Sequence, residues 1–332
     1  MSSKERQYGW GLLGPGRFAR AFAAELRRVD RARPVAVASR RSPEKAVAFA
    51  EEFGFEKHYG SYEDLLADEA VDIVYVVVPH IFHREVAEMA LDAGKAVLCE
   101  KPLTPSAVDS LYLTNKARRN GRFLMEAMKT RFLPVVRRAK QWIDEGRIGE
   151  PRLARADFCF HGSTDPEDRL MNPYLAGGAV LDVGIYPLFL TRFLLGEVRS
   201  VCALGTHATT KVEDSASMVT SHESGATAAM TCSFRVEEAM GATISGTEGA
   251  ILLPKFHAGS RVEFQRGGET IDVFEDDSAD MLRGEIEAAM DALDEGLVEC
   301  PEHTHADTVR LAEIMDDVRR QIGTFNPVAS VT

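Results

Sequence analysis

Gly14-Pro15-Gly16-Arg17-Phe18-Ala19 matches the pattern G-x-G-x-x-G/A. It stands between a short apolar run, residues 10–13, and a segment whose Phe18, Phe22 and Leu26 fall at helical spacing. A pyrophosphate needs that order of strand, glycine turn and helix. The first glycine allows the tight turn, the second lets backbone approach the phosphates, and the small third residue lets helix and strand pack closely. The helix start adds free N–H groups and positive partial charge. Gly14, Gly16, Arg17 and Phe18 are the expected dinucleotide contacts, and a purely structural turn is the alternative. In NAD sites an Asp or Glu about 20 residues further on holds the ribose 2′-hydroxyl. Here the second apolar run ends Ala38-Ser39-Arg40-Arg41. A carboxylate would repel a 2′-phosphate, whereas a hydroxyl and guanidinium forks bind one. Ser39, Arg40 and Arg41 therefore point to NADP over NAD, with Arg40 the preferred contact and a solvated basic turn the bland alternative.

Cys99-Glu100-Lys101-Pro102 follows an apolar run. Loops at the carboxyl ends of parallel strands line the ligand crevice, so a lysine there either carries catalytic charge or is simply solvated. Pro79-His80 is placed to meet the nicotinamide ribose or ring, with a structural hydrogen bond the equal alternative. Arg169 and Asn172 suit a polyol or a carboxamide as well as they suit a surface loop. Glu126 and Arg131 either line a substrate cleft or form an interdomain ion pair. His303 and His305 are two apart, the wrong spacing for a helical metal pair, so no metal is expected.

The elements that must position these groups alternate at first. Apolar runs at 10–13, 34–39, 72–78, 96–99 and 122–125 interleave with helical periodicity at 17–29, 43–53, 83–93 and 106–120. This predicts right-handed βαβ units in a doubly wound parallel sheet. A linking helix is predicted over 133–145. Beyond it come strands at 152–161, 200–209, 215–222, 227–235 and 242–245, short ones near Ile251 and Val262, and helices over 281–293 and 306–322. The expected fold is α/β. Residues 1–126 form a Rossmann domain. Residues 127–332 form an α+β substrate-binding and oligomerisation domain with a large, mostly antiparallel open sheet, its last helices able to pack back on the first domain.

The chain has 332 residues, which suggests about two domains. Lys+Arg 39 against Asp+Glu 51 gives a net charge of -12, which disfavours nucleic acid and anionic membranes. Hydrophobic content of 45% and charged content of 27% are those of a globular chain. Five cysteines without a CxxC exclude a disulfide framework and fit a reduced, cytoplasmic compartment. The strongest apolar run, 71–79, is far short of the about 20 residues that span a bilayer. The N-terminal residues lack the apolar stretch of a secretory signal.

Residues 97–103, with Gly94-Lys95 before them, resemble the E-K-P signature of the glucose–fructose oxidoreductase/inositol dehydrogenase (Gfo/Idh/MocA) family. The run 72–80 with His83 is similar to its strand and P-x-x-x-H segment. Gly177-Gly178 through Asp182, Gly184, Tyr186 and Pro187 resembles its G-G-x-x-x-D-x-G-x-[H/Y] motif. Met125-Glu126-Ala127 with Thr130-Arg131-Phe132 and Pro134 is similar to the dihydrodiol dehydrogenase-like branch, and 244–249 to the family's C-terminal sheet. The resemblance implies an active site in a cleft between the domains and places Lys101, Asp182 and Tyr186 at the catalytic positions. It also puts Pro79, His80, His83, Glu100 and Lys101 on the cofactor side, and it suggests a cis Lys101-Pro102 bond. Close dihydrodiol-type relatives are expected to carry tryptophan where this chain has Lys129, which leaves the substrate open.

The chemistry of these residue types agrees. Hydride transfer to or from a carbon bearing oxygen requires a proton at that oxygen, which Tyr186 can give or take. A phenol near pKa about 10 is poorly tuned for this, and a neighbouring Lys101 ammonium would favour the phenolate. Lys101 as the proton donor stays open. Asp182 is four residues before Tyr186 and, if helical, shares its face; it then orients the lysine, binds a substrate hydroxyl or caps a helix. The expected activity is NADP-dependent oxidation or reduction at a carbinol of a sugar, cyclic polyol or trans-dihydrodiol. The rival is a non-catalytic NADP sensor, against which the retained Lys101, Asp182 and Tyr186 speak. The open sheet needs cover, so a homodimer or homotetramer is expected.

Overall fold

The computed structural model describes residues 6–324 except 238, 239, 277 and 279. The chain forms two compact units. One takes the chain through Met128 together with Leu282–Val309; the other takes Lys129–Met281 together with the chain from Arg310 onward.

The first unit alternates β1 (Tyr8–Leu13), α1 (Arg17–Leu26), β2 (Ala32–Ala38), α2 (Pro43–Phe53), β3 (Lys57–Tyr59), α3 (Tyr62–Leu66), β4 (Ile73–Val76), α4 (His83–Asp92), β5 (Ala96–Glu100), α5 (Ala107–Asn120) and β6 (Leu124–Ala127). The six strands lie in the order β3-β2-β1-β4-β5-β6, all parallel. The β1, β4 and β5 strands are buried throughout, as central strands covered on both faces must be. On α1, Ala19, Phe22, Ala23 and Leu26 face the core. Phe22 stacks on Tyr75 with ring centroids 3.6 Å apart. Phe18, expected on that apolar stripe, is instead 37% exposed at the first turn. Strand order reverses between β1 and β4. A doubly wound sheet opens its ligand crevice at that point, beyond the carboxyl ends of the strands.

The second unit contains α6 (Pro134–Asp144), β7 (Pro151–Cys159), α7 (Ile185–Leu195), β8 (Val198–His207), β9 (Glu213–His222), β10 (Thr227–Ser233), β11 (Gly241–Gly246), β12 (Ala250–Pro254), β13 (Arg261–Arg266) and β14 (Glu269–Glu275). Its eight strands run β14-β13-β12-β11-β7-β10-β9-β8, antiparallel except for the β7–β10 pair. Along β7, Ala154, Ala156 and Phe158 turn to the buried face while Leu153 and Arg155 turn out. The segment Pro173–Leu195 contains an 18-residue window apolar enough to cross a membrane (mean hydropathy 1.5), yet 89% of that window is buried inside the fold. It is a core element, apolar all round, which is why amphipathic periodicity does not reveal it.

Two helices close the chain, α8 (Arg283–Asp294) and α9 (His305–Ile322). Asp294 accepts a 2.6 Å hydrogen bond from the Tyr8 hydroxyl. Further along, Arg310 donates to the Val198 carbonyl at 2.8 Å and Gln321 to the Val201 carbonyl at 2.9 Å, so α9 shields part of the edge strand β8.

Candidate active site

The glycine turn after β1 has the backbone that phosphate binding asks for. Gly14 sits at φ +100, and a Cβ there would come within 2.8 Å of the Val77 carbonyl oxygen. At Gly16, the residue before α1, a Cβ would meet nothing within 4 Å, so the surface over the helix start is open to a ligand. Gly14, Gly16, Ser39, Arg40, Arg41, Pro79 and Phe82 line one cavity of about 230 Å³. Lys45 and Tyr62 also line it. Arg40 lies over the Tyr62 ring at 5.3 Å and donates to Glu85 Oε1 at 2.8 Å; Arg41 lies over the Phe82 ring at 5.3 Å. Two guanidinium groups and a serine thus meet at the carboxyl end of β2, and no carboxylate stands at the strand end itself. A dinucleotide fits this cradle.

The Lys101 turn lies beyond β5 and is clamped from three sides. Tyr75 on β4 donates to Glu100 Oε1, while Glu100 Oε2 accepts the Lys101 N–H at 3.1 Å. Glu126 on β6 accepts the Leu103 N–H at 2.8 Å with Oε1, and its Oε2 lies 3.1 Å from His303 Nε2 and 3.2 Å from Thr308 Oγ1. His83 places Nδ1 2.8 Å from the Pro102 carbonyl and Nε2 2.8 Å from the Val78 carbonyl. Burial pushes its imidazole below the usual histidine range. The neutral ring carries one N–H, so it donates to one carbonyl and faces the other. The Lys101-Pro102 bond is cis. These contacts revise two expectations. Ring nitrogens occupied by backbone make His83 a brace for the turn rather than a cofactor ligand. Glu126, with both oxygens engaged and 3% exposure, holds backbone rather than substrate. His80 is buried, its ring 5.6 Å from that of His83.

In the second unit, Asp182 and Tyr186 stand on either side of the junction between a wide, π-type turn (Val180–Gly184) and α7. Glu213 on β9 holds that turn, accepting the Val180 N–H at 3.2 Å. The paired glycines explain themselves here: Gly178 lies at φ +126, and a Cβ would run into the Glu213 carboxylate. Arg169 donates to Asp182 Oδ1 at 3.0 Å, so Asp182 is a paired carboxylate and not a helix cap. Tyr186 belongs to an aromatic wall, with its ring 5.4 Å from Phe158 and 6.2 Å from His257.

Two candidates have local partners. The Asn172 side chain accepts the Tyr174 N–H at 2.9 Å, a local turn cap. Arg131 lies over Phe193 at 4.4 Å, two helical turns past Tyr186, in a groove with Arg137 and Lys140. Among the described residues no three His, Cys, Asp or Glu side chains gather as metal ligands.

Residues 8–128 match the oxidoreductase family with an NAD-binding Rossmann fold, and residues 136–252 match the GFO/IDH/MocA C-terminal domain. The chain belongs to the GFO/IDH/MocA oxidoreductase family. It is 34% identical over 329 residues to trans-1,2-dihydrobenzene-1,2-diol dehydrogenase of Mus musculus, covering 96% of this chain and 98% of that one. The Danio rerio protein of the same name is 35% identical over 326 residues, covering 95% and 96%. Among solved structures, aldose-aldose oxidoreductase from Caulobacter crescentus complexed with glycerol superposes with TM-score 0.87 at 26% identity, covering 95% of this chain and 97% of that chain. A 3-ketoreductase from Actinomadura kijaniata in complex with NADP and TDP-benzene gives 0.86 at 29%, covering 96% and 98%. The family's Rossmann domain accounts for the glycine cradle. Four neighbours of the site, Tyr62, Glu85, Glu213 and His257, carry no local sequence signal, because only the fold brings them to their partners.

Proposed function

We propose that the chain is an NADP-dependent dehydrogenase acting on a carbinol of a sugar, cyclic polyol or trans-dihydrodiol. The dinucleotide would lie on Gly14, Gly16 and the start of α1, with the 2′-phosphate at Ser39, Arg40 and Arg41. The bound nicotinamide supplies the hydride acceptor. Tyr186 takes the proton from the carbinol oxygen as the carbon–hydrogen bond breaks, and returns it in the reverse direction. The Lys101 ammonium stabilises the oxyanion character that develops there. Asp182, paired with Arg169 at 3.0 Å, orients the lysine or accepts from a substrate hydroxyl. The reading is carried by one observation: Lys101 sits in a turn fixed by Glu100, His83 and Glu126, a rigidity that a solvated surface lysine does not need. Dehydrogenase names among the relatives support it.

The test is Tyr186→Phe. Turnover with NADP and a panel of polyols should fall about 100-fold or more, while the NADPH dissociation constant stays put. Undiminished turnover would remove Tyr186 from the chemistry.

The partner we propose is a second copy of the chain on the outward face of the eight-stranded sheet. Leu153 and Val219 are exposed there beside small neighbours such as Ser217 and Ala229, an apolar face that a second copy can cover.

A further inference from the structure

The last helix reaches the turn that leads into Tyr186. Gln321 on α9 accepts the Ala203 N–H at 2.9 Å and donates to the Val201 carbonyl at 2.9 Å, pairing with the edge strand β8 as a neighbouring strand would. Ile322 fills the space beside Gly205 on the same strand, where an added Cβ would stand 3.0 Å from it. These contacts anchor the final turn of α9. Just before them lies Arg319, its side chain 9% exposed, with Nε 4.0 Å from Oε1 of the fully buried Glu213. Glu213 is poorly supplied with donors for a carboxylate in that position. Oε1 accepts the Val180 N–H at 3.2 Å, and Oε2 has no hydrogen-bond partner among the described residues. Such a carboxylate is strongly unfavourable unless a counter-charge stands beside it. At that separation in a low-dielectric interior, a guanidinium supplies one. Nor can the carboxylate shift alone. Gly178 is pressed against it so closely that a Cβ would run into it, and the Gly178 carbonyl accepts the Asp182 N–H at 3.2 Å. At the other end of the turn, a Cβ on Gly184 would stand 3.0 Å from Cys232 Sγ on β10. A movement of Glu213 therefore carries Asp182 and the start of α7 with it.

We propose that Arg319 is a positioning residue: its charge fixes the Glu213 carboxylate and, through it, the turn that sets Asp182 and Tyr186. Arg319 acts through Glu213 and needs no contact with substrate or cofactor. The kinetic consequence rests on the reading of Tyr186 as the proton-transfer group, whereas the support of the turn does not. The last helix thereby becomes part of the machinery that holds the site, and not only a cover for the sheet edge.

The experiment combines turnover with amide hydrogen exchange on the full-length protein. In Arg319→Met, kcat with NADP and the best polyol of the panel should fall about 10- to 100-fold, as displacement of reacting groups by about 1 Å implies. KM and the NADPH dissociation constant should each change by less than about 3-fold. Arg319→Lys, which keeps a charge, should recover most of kcat. Glu213→Gln combined with Arg319→Met keeps an acceptor for the Val180 N–H and removes the charge that needs pairing, so the double variant should turn over faster than Arg319→Met alone. A role in stability alone predicts neither the split between kcat and KM nor that rescue. Exchange reads the support without turnover: the Val180 and Asp182 N–H groups should exchange at least about 10-fold faster in Arg319→Met, while those of β7 stay protected. A kcat within about 2-fold of the unaltered protein, a loss carried by KM, a double variant no faster than Arg319→Met, or unchanged exchange at Val180 would each overturn the proposal. If Arg319→Met does not fold, the neutral double variant decides: it should fold and protect Val180, and its failure to do so would overturn the proposal. If the unaltered protein turns over no carbinol but exchange responds as stated, the hydride-transfer reading fails and the support stands.

Discussion

The 2′-phosphate assignment can be tested quantitatively because Arg40 already has a partner. Its guanidinium donates to Glu85 at 2.8 Å across a pair whose side chains are 40% and 52% exposed. A pair that open to water is worth at most about 1 kcal/mol. A hydrogen bond from a guanidinium to a charged phosphate oxygen is worth about 1.5–3 kcal/mol. If NADP draws Arg40 away from Glu85, the net gain is about 1–2 kcal/mol, or about 5- to 30-fold in affinity. Arg40→Ala should therefore weaken NADPH by that factor and leave NADH nearly unchanged. Glu85→Gln should act in the opposite sense: with the competitor gone, NADPH should tighten by up to about 5-fold. Both are read by titrating nucleotide fluorescence at fixed ionic strength, and added salt should shrink the NADPH-to-NADH ratio. Equal weakening of the two nucleotides in Arg40→Ala, or looser NADPH in Glu85→Gln, would refute the assignment and leave Arg40 as a surface ion pair over Tyr62.

Three further outcomes follow from the packing. Glu126→Ala orphans the buried Leu103 N–H and takes the carboxylate away from His303, so the urea midpoint should drop by the equivalent of about 3 kcal/mol and turnover should fall with it; a loss below about 0.5 kcal/mol would contradict the clamp. The folded protein holds His257 near 4 against an ordinary 6.5, so the unfolded chain binds the extra proton first. That contribution is full above pH 6.5 and is lost as pH falls towards 4, up to about 3 kcal/mol; His257→Phe should flatten the decline, and an unchanged slope would exclude it. Val219→Lys on the outward face of β9 should shift the sedimenting species to the monomer, and an unaltered sedimentation coefficient would place any dimer elsewhere.

The Rossmann unit is legible in the sequence for a physical reason. Strands buried on both faces must be apolar at every position, and a dinucleotide turn tolerates no side chain at its glycines. Both constraints act on neighbours in the chain. Short elements such as β3 and α3 impose no comparable run, and α7 is apolar all round, so neither stands out as a pattern. The side chains that support the site are harder still. Glu85 meets Arg40 across 45 residues, Glu126 meets His303 across 177, and nothing at either end announces the pairing. Arg131 and Asn172 flank motifs along the chain, and proximity in sequence cannot tell a substrate contact from a local one. The fold turns the first onto Phe193 and spends the second on the turn at Tyr174.

The two motifs to which the proposal assigns the chemistry share a device that their own residues do not display. In the first unit the turn after Lys101 donates its Leu103 N–H to Glu126, a carboxylate buried on the adjoining strand. In the second the turn before Tyr186 donates its Val180 N–H to Glu213, again fully buried and again on a strand. A buried carboxylate that accepts from backbone is costly to desolvate and costly to disturb, because no water stands ready to replace the lost partner. That makes it a stiff support for an irregular turn, where helix and sheet hydrogen bonds are missing. Gly178 shows how tightly the second support is fitted, since one added methyl would collide with the Glu213 carboxylate. A reaction that moves a hydride needs its proton donor and its charge held to a fraction of an ångström. Turns built this way can hold them, whereas the same lysine and tyrosine on solvated loops would spend most of their time out of line.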